Sequence, residues 1–290
     1  MKASYHILAT VVVLIWGVTF VNSKQLLLAG MQAHEIFVVR FLLAYLCIWT
    51  ISPRRLWADN WRDELRMVLL GMTGGSLYFV TENMAVRMDY VTNVSFIVYT
   101  APLLTTLIAL ACLKEVKATR SLIMGSLLAT AGVALVVFNG QVVLKLNPLG
   151  DTLALSAALC WAIYSILLRD VSHYSATFVT RKVFFYGLVT VLPVFIFQPW
   201  SFPLHQLTRH VVWGNLAFLG IIASFACFAL WSLTSKKLGA LKASNYVYLN
   251  PISTFVASAL VLDEPMTVMA AIGCACILVG VYWANSPKHG

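Results

Sequence analysis

Charge is what this chain has least of. Only 11 % of its 290 residues are Asp, Glu, Lys or Arg, while 60 % are hydrophobic; an ordinary soluble domain has about 25 % and 45–50 %. Polar side chains this sparse cannot cover a water-facing surface, so a soluble globule is excluded, and the hydrophobicity also excludes disorder. Acidic residues are scarcer still, 11 against 20 Lys and Arg. The resulting net charge of +9 carries its information in its placement along the chain, and no nucleic-acid partner is expected. No C-x-x-C pair occurs: Cys47, Cys112, Cys160, Cys227, Cys274 and Cys276 lie in apolar runs and read as small core residues, with no metal site or disulfide framework. No cofactor is expected. G-x-x-x-x-G-K-[ST] is missing, so this chain does not itself hydrolyse ATP, and H-E-x-x-H and G-x-S-x-G are missing too, which argues against a membrane-embedded enzyme. The apolar stretches do not alternate, which disfavours an outer-membrane barrel.

What is present is a series of apolar runs bounded by charge, Pro or Gly. They predict an all-α integral membrane protein with ten transmembrane helices, near 6–27, 34–52, 66–86, 90–112, 119–138, 150–169, 177–198, 212–234, 241–262 and 266–285. Residues 1–21 resemble a signal peptide, but the run has full span length and lacks a good cleavage site, so it is read as the first helix. With the N-terminus in the cytoplasm, fifteen of the twenty Lys and Arg fall on the inner side. Lys24, Arg87, Lys145 and Arg209 fall outside, and Arg40 lies within helix 2. This positive-inside bias predicts that both termini are cytoplasmic. The charged stretch 53–64, with Trp57 and Trp61, is expected to lie on the cytoplasmic interface as a topogenic loop.

The chain also repeats itself. A shift of 149 aligns Leu70-Gly71 with Leu219-Gly220, Val98-Tyr99 with Val247-Tyr248, Pro102 with Pro251 and Glu115 with Glu264. A shift of 148 aligns Gly125 and Gly132 with Gly273 and Gly280; Trp16 matches Trp161 and Arg40 matches Arg181 at shifts of 145 and 141. Ordered matches across five helices divide the chain into a first five-helix repeat, residues 1–140, and a second, residues 149–285. Because five is odd, the second enters the membrane inverted. Inverted repeats suit alternating access, in which two like halves exchange conformations.

The matched positions supply candidate site residues. Trp16 and Trp161 sit mid-helix, away from the headgroup belt, where an indole N–H needs a partner or a wet cavity. Tyr99 and Tyr248 are paired by the repeat, and Tyr78 and Tyr164 lie near mid-depth; their hydroxyls are candidates to bind substrate or to join helices. Pro102 and Pro251 remove backbone hydrogen bonds near the centres of helices 4 and 9 and are candidate hinges. Gly125, Gly132, Gly273 and Gly280 have the spacing that lets helices approach closely, either within the chain or at a dimer seam in a monomer or weak homodimer. Arg40 and Glu82 fall at comparable depth near the outer face. They are expected to form a salt bridge, or else Glu82 couples a proton or attracts a substrate ammonium. Glu115 and Glu264 read as structural residues at helix starts.

With Ile15-Trp16-Gly17, Val39-Arg40-Phe41, the run from Ala85 through VTNVSFIVYTAP to Pro102, the ALCWAIY stretch at 158–164, and ASNYVYLNP followed by Asp263-Glu264-Pro265, the whole chain resembles the drug/metabolite transporter superfamily, in particular its EamA-type ten-helix members. The resemblance implies a polytopic transporter, often an exporter of amino acids or related metabolites, with a central cavity lined by helices 1, 3, 4, 6, 8 and 9. Glu82-Asn83 departs from the family, where many members are apolar at this place. The expected function is a secondary transporter of small metabolites, acting outward, with a small-molecule substrate and the lipid bilayer as partners and a bacterial inner membrane as location. The alternatives are a channel-like facilitator and a membrane-embedded enzyme.

Overall fold

The computed structural model describes residues 2–52, 56–88, 91–113, 118–138, 147–261 and 267–286. Among them there is no strand, and the main helical stretches, contiguous or nearly contiguous pieces taken together, follow in chain order. These are α1 Lys2–Leu28, α2 Ala33–Ile51, α3 spanning 61–88, α4 spanning 91–112, α5 Arg120–Phe138, α6 Pro148–Asp170, α7 Ala176–Phe197, α8 His210–Leu238, α9 spanning 240–261 and α10 Val268–Asn285. Seven of them, α1, α2, α5, α6, α7, α8 and α10, are long and apolar enough to cross a membrane. The others fall short for visible reasons. α3 starts with a charged turn, α4 is broken at 99–100 and retains a shorter apolar piece, Phe96–Cys112, and α9 is broken at 246–249. Large apolar side chains such as Phe197, Leu260 and Tyr282 face outward, as expected where the solvent is lipid. The chain is an integral membrane protein.

Four irregularities shape the bundle. α3 carries a π-helical turn at Met72–Ser76 and α8 a longer one at Phe218–Ala226, so the two stretches correspond under the shift of 149. The breaks in α4 and α9 correspond as well, each lying just before a proline, Pro102 and Pro251. Proline cannot donate to the preceding turn, and its ring crowds the carbonyl four residues back. The helix therefore stops at 99–100 and restarts at Ala101, and Tyr246–Leu249 tightens to a 3-10 turn before Asn250. Both prolines thus stand at the start of a second helical piece.

α5 and α10 approach each other closely along their glycines. A Cβ on Gly132 would stand 2.7 Å from the Gly273 carbonyl, and one on Gly280 would stand 2.7 Å from the Gly125 carbonyl. The contacts run in opposite directions along the two helices, so α5 and α10 are antiparallel. The glycine stripe packs inside the chain, the first of the two expected alternatives. Gly30 (φ +99°) and Gly239 (φ +86°) close the α1–α2 and α8–α9 reversals in a conformation that costs other residues free energy. Of the six cysteines only Cys227 is buried and Cys112 is exposed, so the reading of all six as core residues is corrected. Glu115 and Glu264 lie outside the described residues.

Candidate functional site: an aromatic centre between two latched ends

The π turn of α8 sets the centre of the bundle. A π turn shifts the backbone register and disturbs the regular pairing of carbonyls. Here Trp16 of α1 donates its indole N–H to the Ala223 carbonyl at 2.8 Å, and Arg40 of α2 donates Nε–H to Ser224 Oγ at 2.9 Å. Around Trp16 stand Trp161 of α6 at 5.3 Å between ring centres and nearly perpendicular, Trp231 at 5.2 Å and Phe228 at 5.4 Å, both of α8. Tyr164 follows at 5.2 Å from Trp161, and Tyr78 of α3 at 5.6 Å. The structure therefore joins Trp16, Trp161, Tyr164 and Tyr78 in one cluster, packed ring on ring. Among the described residues, the indole N–H groups of Trp161 and Trp231 are buried with no hydrogen-bond partner. An unpaired buried donor costs about 1–3 kcal/mol.

The remaining expected residues are placed around this cluster. Tyr78 donates to Glu82 Oε1 at 3.0 Å. Tyr99 lies 3.3 Å from Thr254 Oγ1 of α9, which itself donates to the Gly17 carbonyl at 2.9 Å. Tyr248 is fully buried and its hydroxyl accepts from Thr130 of α5 at 3.3 Å, so it braces α9 against α5. Pro102 and Pro251 stand at the two helix breaks. The expected Arg40–Glu82 salt bridge is not formed. Arg40 turns to Ser224 and stacks over Phe79 at 4.9 Å, because α8 offers an acceptor nearer than α3 does.

Both ends of the bundle are tied by polar contacts between α1–α5 and α6–α10. At the end poor in basic residues, Glu35 is completely buried and accepts from Ser201 N at 2.5 Å, Ser201 Oγ at 3.1 Å and Phe202 N at 3.0 Å. Asn215 of α8 is linked there to Asn22 at 2.7 Å and Gln25 at 2.9 Å. At the basic end, Asn60 caps α3 by accepting from Asp63 N at 2.9 Å. Asp63 then receives Arg66 at 2.6 Å, Asn60 at 2.9 Å, Tyr174 at 3.0 Å and His173 at 3.1 Å. Tyr174 Oη accepts from Asp59 N at 2.8 Å. Glu64 takes Lys182 and Tyr186 of α7, and Arg181 donates to the Ser52 carbonyl. This first turn of α3 precedes the apolar part of the helix. Burial pushes the Asp63 carboxyl up, but hydrogen bonds from Arg66, Tyr174, Asn60 and His173 outweigh it and hold the group down at about 2. Glu64 is likewise lowered, with the bonds from Lys182, Tyr186 and the Ala58 N–H overcoming desolvation.

These latches were missed by the sequence reading, which took 53–64 as an ordinary topogenic loop. Trp57 and Trp61 are indeed 66 % and 72 % exposed, but Asp63 and Glu64 turn inward. The visible signal was Asn60 three residues before Asp63, a helix-start spacing.

The same architecture recurs among known proteins. A solved crystal structure aligns with a TM-score of 0.80 at 17 % identity, covering 98 % of this chain and 97 % of that one, which shows a shared fold. A protein of Archaeoglobus fulgidus described as an uncharacterized transporter is 25 % identical over 294 residues, covering 100 % of both chains. A protein of Escherichia coli described as a probable amino-acid metabolite efflux pump is 24 % identical, covering 98 % of each. The model of the EamA-like transporter family matches residues 3–138 and again 148–286, and the chain belongs to that family.

Proposed function

We propose that this protein is a secondary transporter that moves small metabolites such as amino acids out of the cytoplasm by alternating access, with the Trp16–Trp161–Trp231 centre as its binding region. The observation that carries this reading is the pair of buried indole donors, Trp161 and Trp231, that have no hydrogen-bond partner among the described residues, in the middle of a bundle latched at both ends. Donors kept unpaired at that depth are free for a polar ligand. The halves are residues 1–140 and 149–285, inverted with respect to each other, with ten spans and both termini in the cytoplasm of a bacterial inner membrane. The corresponding π turns, the corresponding breaks before Pro102 and Pro251, the antiparallel α5–α10 pair and the two stretches matched by one family model support that division.

In the cycle, the centre opens outward when the Glu35 and Asn215 contacts part, and inward when the Asp63 and Glu64 contacts part. Pro102 and Pro251 act as hinges, since backbone already broken at those points bends at little cost. Tyr78, Glu82, Tyr99 and Tyr164 line the path, and Tyr248 braces it. The relative described as an amino-acid metabolite efflux pump supports the substrate class and the direction. Counterflow of a panel of amino acids in proteoliposomes, with and without an imposed pH gradient, tests all of this. Saturable exchange is expected, and a response to the gradient would identify the coupled proton. Flux that does not saturate would replace the carrier by a channel.

A further inference from the structure

Two buried charges of opposite sign face one region without meeting. Arg40 is 5 % exposed and Glu82 9 %. The Arg40 guanidinium rests over Phe79 of α3 and engages only Nε, with Ser224; among the described residues its two terminal nitrogens have no hydrogen-bond partner. Glu82 lies one turn beyond Phe79 on the same helix and holds the Tyr78 hydroxyl. The two groups form no ion pair. A narrow crevice of about 40 Å³, lined by Phe37, Phe79, Asn83 and Val194 among others, opens between α2, α3 and α7, and Phe79, over which Arg40 rests, forms part of its wall. It is too small for an amino acid, so loading requires α2 and α3 to part.

A guanidinium whose terminal edge is free binds a carboxylate through two parallel hydrogen bonds, and a carboxylate beside a phenol accepts from an ammonium. Each pole alone is costly to bury, and a ligand bearing both opposite charges satisfies both at once. From this we infer that Arg40 and Glu82 are the two poles of a zwitterion site: the terminal edge of Arg40 takes the substrate carboxylate, and Glu82 with Tyr78 takes its ammonium. This rests on the transport reading above and narrows its substrates to small zwitterions.

The full-length protein in proteoliposomes decides the matter by counterflow of L-leucine and L-threonine, each as the free acid, the amide and the N-acetyl derivative. For the wild type, the free acids should half-saturate about tenfold or more below both derivatives, the factor expected for losing a charge-assisted contact. Arg40→Gln should weaken the free acids and the N-acetyl derivatives while sparing the amides. Glu82→Gln should weaken the free acids and the amides while sparing the N-acetyl derivatives. A merely structural role for either residue would not give this crossed pattern. If a variant does not fold, the wild-type series still decides. Free acids and derivatives handled alike overturn the two-pole site and leave the transport reading standing, whereas exchange of none of the six compounds overturns both.

Discussion

The indoles of Trp16 and Trp161 touch, yet they do different work. Trp16 spends its N–H on the Ala223 carbonyl, whereas that of Trp161 is unpaired. Phenylalanine keeps a ring and removes the donor in either place. Trp16→Phe should therefore lower thermal stability in detergent by about 1 kcal/mol, one net hydrogen bond, while Trp161→Phe should leave stability unchanged or raised and slow transport. Equal stability losses in the two variants would mean that Trp161 is only packing. Asp63 permits a test by pH. Its carboxyl is held at about 2, below the usual value near 4, so its contribution is fully present above about pH 4 and is lost as pH falls through about 2. Asp63→Asn should cost about 1–3 kcal/mol at pH 7, and the deficit against wild type should shrink as unfolding is followed from pH 5 down to pH 3. A deficit independent of pH would show that the charge of Asp63 contributes nothing.

Along the helices, hydropathy located the seven that are long and apolar enough to cross a membrane, while three further expected spans fall short of that length or apolarity. The boundaries of α2, α5 and α6 fall within two residues of the expected ones, because apolar runs end at charge, Gly or Pro and lipid admits little else. Azimuth was not legible: the facing direction of Arg40 and Glu82 is set by the neighbouring helices, and α8 captured Arg40. The π turns left no mark in composition and are visible only in the backbone. Likewise the contact of Glu35 with Ser201 joins residues 166 positions apart, which no local pattern announces. The close approach at the glycines, in contrast, was written in their spacing, while the partner helix came with the family resemblance. Gly132→Ala places a methyl group against the Gly273 carbonyl, so α5 and α10 must separate. The loss should be about 1–3 kcal/mol, read as a lowered midpoint of thermal unfolding; an unchanged midpoint would mean the helices part freely.

Across the whole molecule, the proposed orientation follows from charge: fifteen Lys and Arg on one side and four on the other. Single cysteines at Asn147 and Leu204, in a background without the native cysteines, should react with a membrane-impermeant maleimide added to intact cells, and cysteines at Asp59 and Lys236 should react only after lysis. Labelling at Asp59 before lysis would reverse the orientation and with it the assignment of the two latches.

The α5–α10 seam also carries a consequence for epistasis. Gly132 approaches the carbonyl of Gly273 and Gly273 approaches that of Gly132, each at 2.7 Å from a notional Cβ. That reciprocity is the mark of an isologous contact, the kind made by two copies of one protein about a two-fold axis, here folded into a single chain. Positions 132 and 273 are therefore one physical site reached from two places in the sequence. Once Gly132→Ala has forced the helices apart, Gly273→Ala finds the space already made, so the double substitution should cost less than the sum of the two single ones, a departure from additivity that a thermodynamic cycle on the four proteins measures directly.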